Sequence, residues 1–201
     1  MNSVDSKDIK EEIINFISEA YSETVKERYE NFETASSNSR STQERNFCYE
    51  FYCQMRNIQK SGKFEFLKNP KRIDAEIIKT DNPSQKIHRK QPDIIIHILG
   101  NNVDNLLVME VKRIDAPNKN IKYDLEKLKD FIEDEQLKYK YGILLIFGKK
   151  FSSDINKIKG VYSKNDDLKL VDYIKNQKIM ILWCYDESCQ NVVSLLDGGN
   201  R

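Results

Sequence analysis

The sequence has no apolar run long enough to cross a membrane and few of the residues that mark fibrous or low-complexity chains. Its longest apolar stretches, such as residues 143–147, span about five residues, whereas a membrane span needs about 20. Seven glycines and four prolines in 201 residues exclude collagen-like and Pro/Gly-rich classes. The N-terminal segment has no apolar stretch typical of a secretory signal, so we expect a cytoplasmic protein with one sizeable core.

The cysteines are also few, and none has the spacing of a structural zinc site. The four fall into two pairs, Cys48 with Cys53 and Cys184 with Cys189. Neither pair has the C-x₂-C spacing of a zinc ribbon. On a helix, Cys48 and Cys53 would point about 140° apart. We therefore expect four reduced, partly buried thiols rather than a disulfide or a metal site.

Charge of one sign is not in excess, because 33 basic and 32 acidic side chains give a net charge of +1. The middle of the chain is more basic, with 20 basic and 15 acidic side chains in residues 61–160. A polar loop from Thr80 to Gln91 carries Lys86, His88, Arg89 and Lys90. These side chains either contact phosphates or form an ordinary solvated surface.

The spacing of apolar residues predicts helices at about 8–33, 42–59, 121–138 and 166–176. It predicts strands at about 63–67, 73–79, 92–99, 105–112, 142–147, 178–185 and 191–196. We divide the chain into an N-terminal helix and linker, residues 1–40, and a core with C-terminal strands, residues 41–201. This order predicts an α/β fold, a mixed central sheet flanked by helices.

Two carboxylates and a lysine converge in the predicted hairpin of strands 92–99 and 105–112. Glu110 and Lys112 lie on one face of the second strand, because side chains alternate. A turn centred on Asn101 and Asn102 would place Asp93 directly opposite Glu110, with Cα atoms about 5 Å apart. The structural interpretation is that Glu110 forms an ion pair with Lys112 and that Asp93 is a turn residue.

The functional interpretation is a metal site. Two buried carboxylates side by side are costly unless a cation lies between them. Mg²⁺, which prefers oxygen ligands, suits Asp93, Glu110 and the backbone carbonyl of Val111. Lys112 would hold or deprotonate a water bound to the ion, or offset charge at phosphorus. Such a site suits hydrolysis of a phosphodiester bond.

Glu44 is a fourth candidate. It lies near the centre of the apolar stripe of the helix at 42–59, where a carboxylate needs a partner. The metal site would supply one. Alternatively, Glu44 completes a capping box with Ser41.

Other residues have mainly structural interpretations. His97 and Trp183 are expected in the core rather than in a site. Tyr139 and Tyr141, beside lysines, would stack on bases or, more simply, pack at a strand edge.

The motifs around this hairpin resemble those of the PD-(D/E)xK nuclease superfamily, which has the restriction-endonuclease-like fold. The matching segments are residues 91–97 (QPDIIIH) and 105–113 (NLLVMEVKR). Within the superfamily, the chain resembles a group of small microbial proteins with an "ER" helix, here Glu44-Arg45. That group also has an acidic strand, here residues 73–76, and a D-x-x-K-L helix, here residues 124–128. The resemblance covers about residues 42–148.

The resemblance implies a nuclease fold extended by the long N-terminal helix. It implies that Asp93 and Glu110 are metal ligands, Lys112 the catalytic lysine and Glu44 the acidic residue carried by the helix. Mg²⁺ is the expected cofactor, with Mn²⁺ as a substitute, and the expected partner is nucleic acid, DNA ahead of RNA. A homodimer through the N-terminal helix is a further expectation. The alternative is a catalytically silent subunit that binds nucleic acid or a protein.

Overall fold

The computed structural model describes residues 3–34, 40–68, 70–75, 90–98, 105–148, 156, 158, 160–161, 167–185 and 188–192. Part of the predicted linker and most of the basic loop lie outside these ranges, so the phosphate-contact hypothesis for that loop stays a prediction. Within the described ranges, no helix has both the length and the apolar character needed to cross a membrane.

The described residues form four helices and six strands. The helices are α1 (Ser3–Thr34), α2 (Arg40–Ser61), α3 (Asn118–Glu133) and α4 (Leu168–Lys175). The strands are β1 (Lys71–Ala75), β2 (Ile94–Ile98), β3 (Leu107–Arg113), β4 (Tyr141–Phe147), β5 (Ile179–Tyr185) and β6 (Ser188–Asn191). All four predicted helices are present, and so are the strands predicted at 92–99, 105–112, 142–147 and 178–185, with shifted ends. The strand predicted at 191–196 overlaps β6 only at Asn191, because β6 begins three residues earlier, and residues 193–196 lie outside the described ranges.

The six strands form one mixed sheet in the order β1-β2-β3-β4-β5-β6. β1, β2 and β3 are antiparallel neighbours, β3, β4 and β5 run parallel, and β6 is antiparallel to β5. Parallel neighbours need crossover connections, and α3 and α4 lie in the two that this sheet requires. The predicted mixed α/β sheet is confirmed.

The two faces of the sheet are covered by different helices. Leu107, Met109 and Val111 of β3 join side chains of α1 and α2 in one apolar cluster. Val108, between them, joins side chains of α3 and α4 in the other. Glu110 shares the parity of Val108, so its side chain belongs to the face that α3 covers.

Helix α1 is part of the first apolar cluster. Its apolar stripe is buried, and Phe16 meets the ring edges of Phe64 and Phe66 with centroids 5.4 and 5.7 Å away. The amphipathic pattern of the helix is therefore explained by packing within the chain. A homodimer through α1 stays a prediction.

The strand predicted at residues 63–67 is wrong, because this segment contains a short 3₁₀ turn, Glu65–Leu67. The alternation of Phe64 and Phe66 suggested a strand, but Leu67 is buried as well. The 3₁₀ turn buries Phe66 and Leu67 in succession, so the alternation of Phe64 and Phe66 does not indicate an extended backbone here.

The expectation of four reduced thiols is also wrong for one pair, since Cys184 and Cys189 form a disulfide between β5 and β6. The two residues are direct partners in the antiparallel register, with Cα atoms 4.0 Å apart. A spacing of five residues separates side chains on a helix but brings them face to face across a tight hairpin. Cys48 and Cys53 are free thiols, as expected.

Candidate active site

The candidate site lies where β2 begins and β3 ends. Ile94 pairs with Met109, and Ile95 pairs with Val108. Continuing this register by one residue places Asp93 opposite Glu110, so the predicted register of the hairpin is confirmed. β2 begins directly after Asp93 and is buried from Ile94 to His97, which positions the carboxylate of Asp93 at the end of a buried strand.

Asp93 is oriented by the backbone of β3. Its Oδ2 accepts a hydrogen bond from the backbone N–H of Val111 at 2.7 Å. This bond holds one oxygen of the carboxylate against β3, close to Glu110. The carbonyl of Val111, the third predicted oxygen ligand, accepts a hydrogen bond from the Lys112 ammonium at 3.1 Å.

Lys112 connects three elements of the fold. Its ammonium donates to Oε1 of Glu44 on α2 at 2.8 Å and lies 3.3 Å from Oδ2 of Asp124 on α3. The structure thus brings Glu44 to the site through Lys112, and this ion pair accounts for a carboxylate on the apolar stripe of α2. The helix begins at Arg40, one residue before Ser41, so Ser41 is not the residue that precedes the helix.

Helix α3 supplies two site residues to which sequence reasoning gave no role. Asp124 contacts Lys112, and the ammonium of Lys127 donates to Oε2 of Glu110 at 2.8 Å. Lys127 also donates to the backbone carbonyl of Gln91 at 2.6 Å. Asp124 and Lys127 are three positions apart, so they are neighbours on one side of the helix. The D-x-x-K spacing was the available signal.

Burial governs the electrostatics of this group. Glu110 is 1% exposed, and burial, together with nearby Asp93, raises the pKa of its carboxyl well above the usual range. Burial also raises the pKa of Asp124, to about 6, although Lys112 and Lys127 oppose the shift. Burial alone would lower the pKa of Lys112, but Asp124, Glu44 and Asp93 raise it above the usual range. Lys112 therefore stays protonated, while the raised pKa values of Glu110 and Asp124 let these two carboxyls keep a proton to higher pH than usual.

The donor set fits a hard divalent cation on two observations. Oε1 of Glu110 is buried without a hydrogen-bond partner, which is costly for a carboxylate, whereas Oδ2 of Asp124 has the Lys112 ammonium 3.3 Å away. In addition, within the described part of the chain four carboxyl groups, those of Asp93, Glu110, Asp124 and Glu44, lie around two ammonium groups, those of Lys112 and Lys127. Among the described residues, however, no three His, Cys, Asp or Glu side chains lie close enough together to hold an ion by themselves. A metal here needs backbone or water oxygens as well.

Cys48 forms part of the wall beside the site, one helical turn after Glu44. Burial is the main cause that raises the pKa of its thiol, and Asp93 and Glu44 raise it further. The thiol therefore stays neutral and acts as a small apolar group rather than as a nucleophile.

The remaining candidate residues lie away from this group. His97 is buried, as expected for a core residue, and its Nε2 lies 2.8 Å from Oδ2 of Asp74. Trp183 and Tyr139 are buried in the second apolar cluster, which confirms packing over base stacking for Tyr139. Tyr141 is half-buried and packs against the first cluster.

Comparison of the chain with protein-family models, curated proteins and solved structures gives no significant match.

Proposed function

We propose that the protein is a divalent-cation-dependent nuclease that hydrolyses phosphodiester bonds, with DNA as the preferred nucleic acid. The observation that carries this proposal is the state of Glu110. Its carboxylate is buried and lies opposite Asp93 in the strand register, and its Oε1 has no hydrogen-bond partner. A buried carboxylate with one open oxygen beside a second carboxylate is suited to bind a cation.

Asp93 and Glu110 would hold Mg²⁺, or Mn²⁺ in its place, together with the carbonyl of Val111. When bound, such an ion lowers the pKa of a coordinated water and neutralises charge on the phosphate. Each carboxylate has one oxygen anchored by the protein: the Val111 N–H binds Oδ2 of Asp93, and Lys127 binds Oε2 of Glu110. These bonds use neither Oδ1 of Asp93 nor Oε1 of Glu110, so the two residues would hold the ion through those oxygens.

Lys112 supplies a fixed positive charge to the reacting phosphate. Its ammonium is held by Glu44 and Asp124, and these carboxylates keep its pKa high. A group with a raised pKa is a poor base at neutral pH, so its role is to stabilise negative charge that develops at phosphorus. Glu44 acts through Lys112 and is a positioning residue.

The restriction-endonuclease-like fold is part of the same proposal. It is supported by the position of the site, at the start of β2 and the end of β3, within a sheet that continues through parallel β4. The motifs in residues 91–97 and 105–113 add the resemblance to PD-(D/E)xK nucleases.

A second candidate function is a non-catalytic subunit that binds nucleic acid or a protein. One observation favours it: the Lys127 ammonium already pairs with Glu110 inside the protein. With that counterion, the buried carboxylate does not need a metal ion to be tolerated.

A cleavage screen separates the two functions. The purified protein is incubated with supercoiled plasmid, linear duplex DNA, single-stranded DNA and RNA, each with Mg²⁺, Mn²⁺ or EDTA. Cleavage that requires the cation and is lost in Asp93→Asn supports the nuclease. The matched control is Asp172→Asn, which changes an exposed aspartate on α4 and should cleave normally. Binding without cleavage under every condition would favour the subunit.

A further inference from the structure

The ammonium of Lys127 lies in a buried position lined by oxygen atoms. It donates hydrogen bonds to Oε2 of Glu110 at 2.8 Å and to the backbone carbonyl of Gln91 at 2.6 Å. The side chain of Asp124, three positions earlier on α3, is close enough for its charge and that of Lys127 to interact. Carboxylate and carbonyl oxygens are also the ligands that a hard metal ion prefers. Lys127 therefore places one positive charge where a cation would otherwise find ligands.

Packing does not account for the charge of this side chain. On the same helix, Leu125, Leu128 and Phe131 are buried in the second apolar cluster. A buried ion pair gains little more free energy than the desolvation of its two charges costs, so two apolar side chains would serve the core as well. The charge of Lys127 is instead explained by Glu110, which it balances while no ion is bound.

The hydrogen bonds of the two proposed ligand residues favour a single ion. In a two-ion site the ions lie about 3.5–4 Å apart, and a carboxylate between them gives one oxygen to each. Here the Lys127 ammonium binds Oε2 of Glu110, and the Val111 N–H binds Oδ2 of Asp93. A second ion at Glu110 would have to displace the ammonium from Oε2.

The same ammonium should also weaken the binding of the first ion. A divalent cation on Oε1 of Glu110 and the ammonium on Oε2 would share one carboxylate, so two positive charges would stand close together. Glu110 is 1% exposed and Lys127 is 8% exposed, and buried charges are screened much less than exposed ones. The repulsion between ion and ammonium therefore acts at nearly full strength.

We propose that the ammonium of Lys127 takes the place of a second metal ion, so that the candidate site binds one divalent cation and binds it more weakly than its carboxylates alone would. This inference rests on the proposed nuclease function and specifies the number of ions in its site. Lys127 acts through Glu110 and is a positioning residue.

Binding of Mn²⁺ to the full-length protein tests the inference without a substrate. The protein is freed of metal with EDTA, dialysed and titrated with Mn²⁺. The electron paramagnetic resonance signal of free Mn²⁺ gives the number of ions bound, and isothermal titration calorimetry gives the Kd. Lys127→Met and Lys127→Gln both remove the charge, and the second keeps a polar group if the first folds poorly. Lys122→Met, which removes an exposed lysine of the same helix, is the matched control.

We expect the wild type to bind one Mn²⁺ per chain. Both Lys127 variants should bind the ion at least about tenfold more tightly, because a like charge next to it is gone. Mn²⁺ should also raise their melting temperatures by more than it raises that of the wild type. Lys122→Met should match the wild type in affinity and in melting temperature. A purely structural role of Lys127 predicts the opposite change, since a loosened site binds the ion more weakly.

The two proposals fail in different ways. Two ions bound by the wild type, or Lys127 variants that bind Mn²⁺ no more tightly than the wild type, would overturn the role of Lys127 and leave the nuclease standing. A wild type that binds no Mn²⁺ at saturating concentration would overturn the ion site, and with it both proposals.

Discussion

The ammonium of Lys127 and the carboxylate of Glu110 form a buried ion pair with an N–O distance of 2.8 Å. Lys127 also binds the carbonyl of Gln91, so a single side chain of α3 ties the segment that leads into Asp93 to the end of β3. The strand register sets the spacing between the two proposed ligand residues, and Lys127 holds the segment before Asp93 against this end of β3. Lys127 also supplies one of the two positive charges that offset the four carboxylates of the site.

Removal of Lys127 should destabilise the fold through Glu110. Lys127→Met leaves a buried carboxylate without its counterion, which costs on the order of 3 kcal/mol in free energy of unfolding. Adding Glu110→Gln to Lys127→Met removes the uncompensated charge and should restore most of the loss. Urea denaturation in EDTA measures the free energy of unfolding of the wild type, of Lys127→Met and of the double variant. Lys122→Met, on the exposed side of α3, is the control and should change stability by less than about 1 kcal/mol. A double variant no more stable than Lys127→Met would contradict this account.

Binding of a divalent cation should appear in thermal melts. Mn²⁺ should raise the melting temperature of the wild type, because an ion that binds only the folded state stabilises it. Asp93→Asn should abolish this rise because one charged ligand is lost. The variant keeps the local structure, since the amide oxygen of Asn can accept the hydrogen bond from the Val111 N–H. In EDTA the variant should melt at the wild-type temperature or above, since a like charge next to Glu110 is gone. An unchanged wild-type melting temperature at saturating Mn²⁺ would refute the proposed ion site.

Protonation of Asp124 should make the cation-free protein more stable against unfolding as the pH falls. Burial raises the pKa of Asp124 in the folded state from 3.8 to about 6. The folded state therefore binds a proton more tightly than the unfolded state between these values, and lowering the pH from about 7 to about 5 favours folding. Asp124→Asn does not titrate, so the stability of wild type relative to this variant should increase over that range. A relative stability that instead falls with falling pH would show that Asp124 is held charged.

Glu44 should matter for turnover more than for stability. Glu44→Gln keeps a hydrogen-bond acceptor for the Lys112 ammonium but removes the charge that holds it. Cleavage should slow while the melting temperature changes little, because Glu44 and Lys112 are not fully buried. Glu50→Gln, whose carboxylate accepts a hydrogen bond from Gln54 on the same helix, is the matched control. Unchanged cleavage by Glu44→Gln would assign Glu44 a purely structural role.

The hairpin that carries the site was predictable because residues within its own segment of the sequence determine its register. The apolar stretch after Asp93, the turn residues and the apolar stretch before Glu110 together set the register, and the structure has the same register. The alternation of β3 then assigns Glu110 and Lys112 to one face without knowledge of any other element.

The counterions of the site were not predictable in this way. Lys127 reaches Glu110 only because α3 packs across β3. The sequence of α3 does not predict at which point along β3 the helix packs. The pairing of Cys184 with Cys189 depended on a hairpin whose second strand begins three residues earlier than predicted. The exposure of Tyr49 and Tyr123 likewise follows from how α2 and α3 dock, whereas Tyr139 is buried and Tyr141 is half-buried.

The most direct test of the proposed chemistry is a paired measurement on Lys112→Ala, of nucleic-acid affinity in Ca²⁺ and of cleavage rate in Mg²⁺. A charge that acts mainly in the transition state changes turnover rather than binding. The account predicts affinity close to that of the wild type and cleavage slower by about 10²–10³-fold. Equal losses in affinity and cleavage would make Lys112 a phosphate contact, and a wild type that binds nucleic acid but cleaves none would contradict the nuclease itself.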